Sequence, residues 1–211
     1  MMLKNKTIIF YSRALLFIAA FLGVYLEITK HGGFGMLLYY TVLSNLLVTL
    51  FTAYLLLKMR GDDDSWQKPG ILRLKGGVTM SIMITCVIYH FMLAPIATDF
   101  YRLENFLCHY IVPLWFLADT LLFDKNRQYK WFDPIVWTVL PLLYMGFAIL
   151  NGLVLKMNIP NAKDNPFPYF FLNANKYGWG FVFRWAATIF VAYMISGYLF
   201  YLVKNIKKSK K

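Results

Sequence analysis

Charge is scarce in this chain. Asp, Glu, Lys and Arg make up 15% of its 211 residues, where a soluble domain carries about 25%. Cysteine is scarcer still: Cys86 and Cys108 are the two, and both fall inside apolar stretches, which argues against a disulfide framework. Polar sequence between the apolar stretches is too short to build a soluble domain. The strand-like alternation of a membrane barrel is missing, and so is any internal repeat. The first apolar run contains Arg13, lacks a small-x-small cleavage site and exceeds the length of a signal-peptide core, so it reads as a retained helix.

Apolar sequence is what the chain has in abundance: hydrophobic residues are 59% of it and the mean hydropathy is +0.52. Crossing ~30 Å of hydrocarbon takes about 20 apolar residues as a helix, and a backbone in lipid must satisfy its own hydrogen bonds. Six runs qualify: about 7–28, 35–57, 77–98, 105–123, 135–155 and 180–203. The fold expected is all-α, a polytopic bundle of six transmembrane helices forming one domain over 1–211.

The net charge of +12 does not point to nucleic acid, because Lys and Arg gather at the ends of the spans and in the tail Lys204, Lys207, Lys208, Lys210 and Lys211. The face opposite the termini carries only Lys30, Arg102, Lys156, Lys163 and Lys176. The positive-inside rule then places both termini in the cytoplasm, and the basic tail reads as a contact for anionic lipid.

Ionisable groups inside hydrocarbon are costly and mark function by default. At a rise of ~1.5 Å per residue, Thr41, His90, His109 and Arg184 lie roughly 6–10 Å inside the same end of their spans, forming a polar layer from four helices. Asn45 lies one turn from Thr41 on the same face and Ser44 on the next. Pro113 has no N–H for the His109 carbonyl, and a kink there opens space beside the imidazole. Toward the other face, Arg13 and Asp119 share a depth and are expected to form a structural ion pair. The segment 156–179, with Phe167, Tyr169, Phe170, Phe171 and Trp179, reads either as an interfacial aromatic belt or as a lid over the polar layer.

A threonine hydroxyl needs a base before it can attack, and histidine is the usual one. Thr41 as nucleophile and His109 as base therefore suggest hydrolysis of a lipid ester whose chains already lie in the bilayer. His90, Asn45 and Arg184 are candidate supporting groups, and Phe170 and Trp179 candidate substrate contacts. No cofactor is expected, and the partners are membrane lipids and a lipid ester. Alternatives from other classes are a lipid or small-molecule transporter or sensor, haem held by His90 and His109, and a metal site using Cys86, His90 and one of Cys108 and His109.

The stretches YYTVLSNLLVTLF (39–51), VIYHFMLAP (87–95), HYIVPLWFLADTLLFDK (109–125) and NPFPYFFLNANKYGWG (165–180) resemble bacterial relatives of a six-span membrane family. Its animal members are the androgen-induced protein and the androgen-dependent TFPI-regulating protein. The resemblance implies a threonine hydrolase of fatty acid esters of hydroxy fatty acids, in a multi-pass bacterial cell-membrane protein. Thr41 resembles the family's nucleophile and His109 its essential histidine. The residues around Thr41 depart from the animal pattern, which leaves Ser44 as a second candidate nucleophile, and the choice of base between His109 and His90 stays open.

Overall fold

The computed structural model describes residues 5–61, 64–97 and 100–206. Lys4, most of the acidic run at 62–64 and the tail lysines from 207 onward lie outside these residues. Six helices are long and apolar enough to cross a membrane: α1 (Lys6–His31), α2 (Tyr40–Met59), α3 (Pro69–Ile96), α4 (Leu103–Phe123), α5 (Asp133–Leu155) and α6 (Trp179–Asn205). No strand occurs among the described residues. The chain is a multi-pass integral membrane protein.

Helices α1 to α4 form the packed half of the bundle. Their shared core is Leu16 and Ala20 from α1, Val48 from α2, Val78 and Ile82 from α3, and Val112 and Phe116 from α4. Small residues set the spacing: a Cβ on Gly23 would stand 2.9 Å from the Cys108 sulfur, so α1 and α4 touch at backbone distance there. Helices α5 and α6 are the least buried of the six.

Two helix starts differ from the sequence reading. Helix α3 begins at Pro69, eight residues before the expected 77, with proline in the first turn, where its missing N–H costs nothing. Lys75 and Gly76 fall in the expected connection, yet they are helical, and Gly76 and Gly77 receive the Trp137 ring. A Cβ on Gly76 would lie 2.7 Å from it. Helix α2 begins at Tyr40 rather than 35. Gly32, at φ +144°, turns the chain out of α1, and Gly33–Leu38 forms a 3-10 stretch. Thr41 is consequently the second residue of α2, in its first turn, rather than roughly 9 Å inside the helix.

Prolines reshape three helices. Pro95 and Pro113 cannot donate to the carbonyls of Phe91 and His109, and the preceding turns widen into π turns at Tyr89–Leu93 and Leu107–Ile111. In α5, Pro141 leaves the Trp137 carbonyl free, the helix breaks there, and the Tyr193 hydroxyl from α6 donates to that carbonyl at 2.9 Å.

At the face carrying both termini, charge locks the helices. Arg13 Nε lies 3.0 Å from Asp119, but the two belong to a larger network than a pair. Arg13 also meets Asp124 at 2.9 Å, and Lys75 binds both Asp119 and Asp124, the latter at 2.8 Å. All four side chains are buried. Lys204 donates to the carbonyls of Thr120 and Asp124 at 2.9 Å each, and Gln67 to that of Phe123. The end of α4 is thus capped from α6 and from the α2–α3 connection. Removing one carboxylate leaves buried cations uncompensated, which typically costs about 3–5 kcal/mol. Asp119→Asn is therefore expected to lower the thermal unfolding midpoint in detergent strongly, and a midpoint equal to wild type would show that the network does not hold the bundle.

Candidate active site

The π turn of α4 does two things for the residues around it. It moves the Val112 N–H onto the Leu107 carbonyl, five residues back. This frees the carbonyl of Cys108, which accepts Asn45 Nδ2 from α2 at 3.0 Å. Asn45 Nδ2 also donates to the Thr41 carbonyl at 2.8 Å. One amide thus ties the first turn of α2 to the turn of α4 that carries His109.

His109 is buried. Its Nδ1 lies 3.0 Å from the carbonyl of Asn105, one turn earlier. A carbonyl only accepts, so Nδ1 carries the proton and Nε2 presents a lone pair. That lone pair faces Thr41, whose Oγ1 is 3.3 Å away. This distance is long for a catalytic hydrogen bond, as is usual before substrate tightens the site. Tyr89 stacks on the imidazole, with centroids 3.7 Å apart and planes 24° from parallel, and its own hydroxyl accepts from Asn105 Nδ2 at 2.6 Å. The ring is held by its face, by one nitrogen and by the helix.

Thr41 lines an open-sided cleft of about 110 Å³. The walls come from α2, α3, α5, α6 and the segment after α5. Its flank is open where the lining residues Leu142 of α5 and Phe190 of α6 are exposed to the membrane side. Most of the wall is aliphatic or aromatic. Thr41, Tyr144 and Tyr169 bring hydroxyls to the lining, and Tyr40, Tyr193 and Thr138 line it as well.

The remaining sequence candidates divide. Ser44 donates to the Thr41 carbonyl at 3.1 Å and pairs with Thr85 Oγ1 at 2.8 Å, so it braces α2 against α3 and faces away from His109. His90 is exposed and pairs with the Tyr110 hydroxyl at 3.3 Å, and Arg184 is exposed on α6. Neither is brought to Thr41, nor does either line the cleft. Phe170 packs among Phe167, Phe171 and Leu172 behind the cleft wall, while Trp179 remains exposed. Among the described residues no three His, Cys, Asp or Glu side chains form a group fit to hold a metal ion. His109 has one nitrogen on a carbonyl and the other on Thr41, an arrangement ill-suited to an axial haem ligand shared with an outward-facing His90.

The segment 156–178 folds back over the end of the bundle at which Thr41 sits. Asn151 anchors it, donating to the carbonyls of Pro166 and Met157 at 2.8 and 3.2 Å, and Phe167 fills the space above Gly152. The Tyr39 hydroxyl and Asn161 Nδ2 fasten it to the ends of α2 and α1. Tyr169 is thereby carried to the rim of the cleft. Burial raises the affinity of its phenol for the proton, so the hydroxyl stays a neutral donor at ordinary pH. Sequence reasoning counts Tyr169 only within an aromatic stretch and does not find Tyr89 or Asn105, because neither carries charge or breaks a helical pattern. No family model, curated protein or solved structure matches the chain.

Asn45→Leu removes the donor shared by Thr41 and Cys108 and leaves the Cys108 carbonyl buried without it. A loss of about 1–3 kcal/mol of stability is expected, read as a lower unfolding midpoint in detergent. An unchanged midpoint would show that the α2–α4 bridge contributes nothing.

Proposed function

We propose that the protein is an intramembrane hydrolase of lipid carboxylic esters, with Thr41 as nucleophile and His109 as general base. The observation that carries the reading is the contact between Thr41 Oγ1 and the lone-pair nitrogen of His109 at the rim of an apolar cleft. A tautomer fixed by a backbone acceptor is what a base poised to take a hydroxyl proton needs. An aliphatic cleft open toward lipid suits an acyl chain that arrives from within the bilayer.

The chemistry balances over two half-reactions. Thr41 Oγ1 attacks the ester carbonyl carbon as its proton passes to His109 Nε2, and the carbonyl π pair moves onto oxygen. Collapse of the tetrahedral adduct expels the alkoxide, which takes the proton from Nε2 and leaves as the alcohol. Water then attacks the acyl-threonine, giving its proton to Nε2. The second collapse returns that proton to Thr41 and releases the carboxylic acid. Fatty acid esters of hydroxy fatty acids fit this scheme and are the substrates implied by the family resemblance. Ser44 is the weaker nucleophile candidate because its hydroxyl is committed to Thr85 and the Thr41 carbonyl. The charge asymmetry of the connections supports cytoplasmic termini and the family resemblance a bacterial cell membrane; with that orientation the site belongs to the far leaflet.

Purified protein incubated with such an ester should release free fatty acid. Thr41→Ala should abolish release, and His109→Ala should lower it by about 10²–10⁴-fold, the usual contribution of a positioned base. His90→Ala should retain wild-type turnover. Equal release by wild type, Thr41→Ala and His109→Ala would remove the enzyme reading and leave a lipid-binding cleft.

A further inference from the structure

Two proline-made π turns meet beside the nucleophile. Tyr89 opens the one in α3, and His109 lies within the one in α4. Their rings come face to face, with centroids 3.7 Å apart and planes 24° from parallel. Tyr89 is buried, so on that side the imidazole meets an aromatic face and no water. The far end of the phenol is pinned as well. Asn105 Nδ2 donates to the Tyr89 hydroxyl at 2.6 Å and to the Phe100 carbonyl at 2.8 Å, while the carbonyl of Asn105 itself takes the proton of His109 Nδ1. One residue thus fixes both the tautomer of the base and the ring that covers it.

Taking the Thr41 proton turns His109 into an imidazolium inside a bundle of apolar helices, where an unpaired charge is costly. A Ser-His-Asp triad meets that charge with a carboxylate on the second ring nitrogen. Here the second nitrogen faces a neutral carbonyl, and among the described residues no carboxylate forms an ion pair with His109. Glu104, earlier on α4, is engaged by His31 at 2.8 Å and by Lys30 at 3.5 Å. The aromatic face remains. It carries the negative pole of the ring quadrupole, and a cation lying over it is attracted, most strongly where water is excluded.

We propose that Tyr89 is a positioning residue of this site, which holds the base by its face and stabilises the imidazolium formed when Thr41 attacks. The inference rests on the Thr41–His109 hydrolase reading. As the Thr41 proton reaches Nε2 and the Thr41 oxygen bonds to the ester carbon, a positive charge appears on the imidazole and a negative charge on the carbonyl oxygen. The positive charge spreads over a ring already in contact with Tyr89. It disappears when the leaving alkoxide takes the proton, so the contact strengthens only while the adduct exists, and no bond to Tyr89 forms or breaks. An interaction stronger in the transition state than before it raises kcat and leaves substrate binding alone.

The test uses the full chain in detergent with a p-nitrophenyl ester of a long-chain fatty acid. Tyr89→Phe keeps the face and serves as the reference for a series of phenylalanines of increasing ring fluorination at position 89. These keep the shape of the ring and drain its face of electron density. Along the series kcat should fall steadily, to about 30-fold below the reference for the most fluorinated ring, the factor that losing a desolvated cation–π contact implies. KM and the unfolding midpoint should stay near those of the reference. Tyr89→Leu, which has no π face, should lose kcat by a similar factor. If kcat is constant along the series while Thr41→Ala is inactive, the role of Tyr89 is overturned and the hydrolase reading stands. If the series changes only KM or the unfolding midpoint, the ring merely packs against His109 and the proposal is likewise overturned. If wild type shows no turnover above Thr41→Ala, the hydrolase reading fails, and the proposal with it.

Discussion

A backbone carbonyl decides which nitrogen of His109 faces Thr41. The Asn105 oxygen accepts only a proton-bearing nitrogen, so Nδ1 is committed and Nε2 is left with its lone pair toward the hydroxyl. Local backbone geometry surrounds that choice. Pro113 withholds an N–H from the His109 carbonyl, α4 widens into a π turn, and the Cys108 carbonyl released by the turn is taken by Asn45 of α2. The same side chain holds the carbonyl of Thr41. The relative placement of the two candidate catalytic groups is thus written in hydrogen bonds that an apolar bundle cannot leave unmade.

The molecule separates its polar chemistry into two layers with different work. At the face of the termini, Arg13, Lys75, Asp119 and Asp124 neutralise one another in full burial, with Lys204 on the carbonyls that end α4. That layer holds α1, α3, α4 and α6 to one another and touches no cleft. At the far face the groups around Thr41 are neutral hydroxyls, one imidazole and helix amides beside an open apolar cleft, while the charges of that face, Glu104 with His31 and Lys30 and the buried Glu27, lie toward the end of α1 and the start of α4. A neutral site loses less than a charged one when lipid replaces water around it, which fits a reaction carried out at the hydrocarbon edge. The packed half of the bundle, α1 to α4, carries the nucleophile and base, and the looser α5 and α6 complete the cleft against α2 and α3.

Hydropathy made the six helices and their order legible, since length and apolar content are all that crossing a bilayer demands. Depth along the helix brought Thr41 and His109 into one layer, and likewise Arg13 and Asp119. Direction around the helix was not legible. In lipid both faces of a helix are apolar, so no periodicity says which side meets the bundle. His90 and Arg184 share the depth of His109 yet point outward for this reason. Lys75, Asp124 and Lys204 were hidden differently: charges next to span ends look like topology signals, and only the early start of α3 reveals that Lys75 lies inside. Gly76 and Gly77, at the expected edge of the third span, are contact surfaces for Trp137. Tyr169 had no signal beyond its aromatic neighbours, because its place depends on how the segment after α5 is pinned at Asn151.

The covalent intermediate is where the central claim is most directly exposed. Protein mixed with a long-chain fatty acid ester and quenched in acid within the first turnover can be digested and read by mass spectrometry. A fatty acyl group on Thr41, lost on longer incubation and accumulating when the base is impaired less than the nucleophile, is the result expected. Acyl transfer to Ser44 or to any other residue, or ester cleavage with no acylated residue at any time, would contradict the assignment of Thr41 and His109 as the reacting pair.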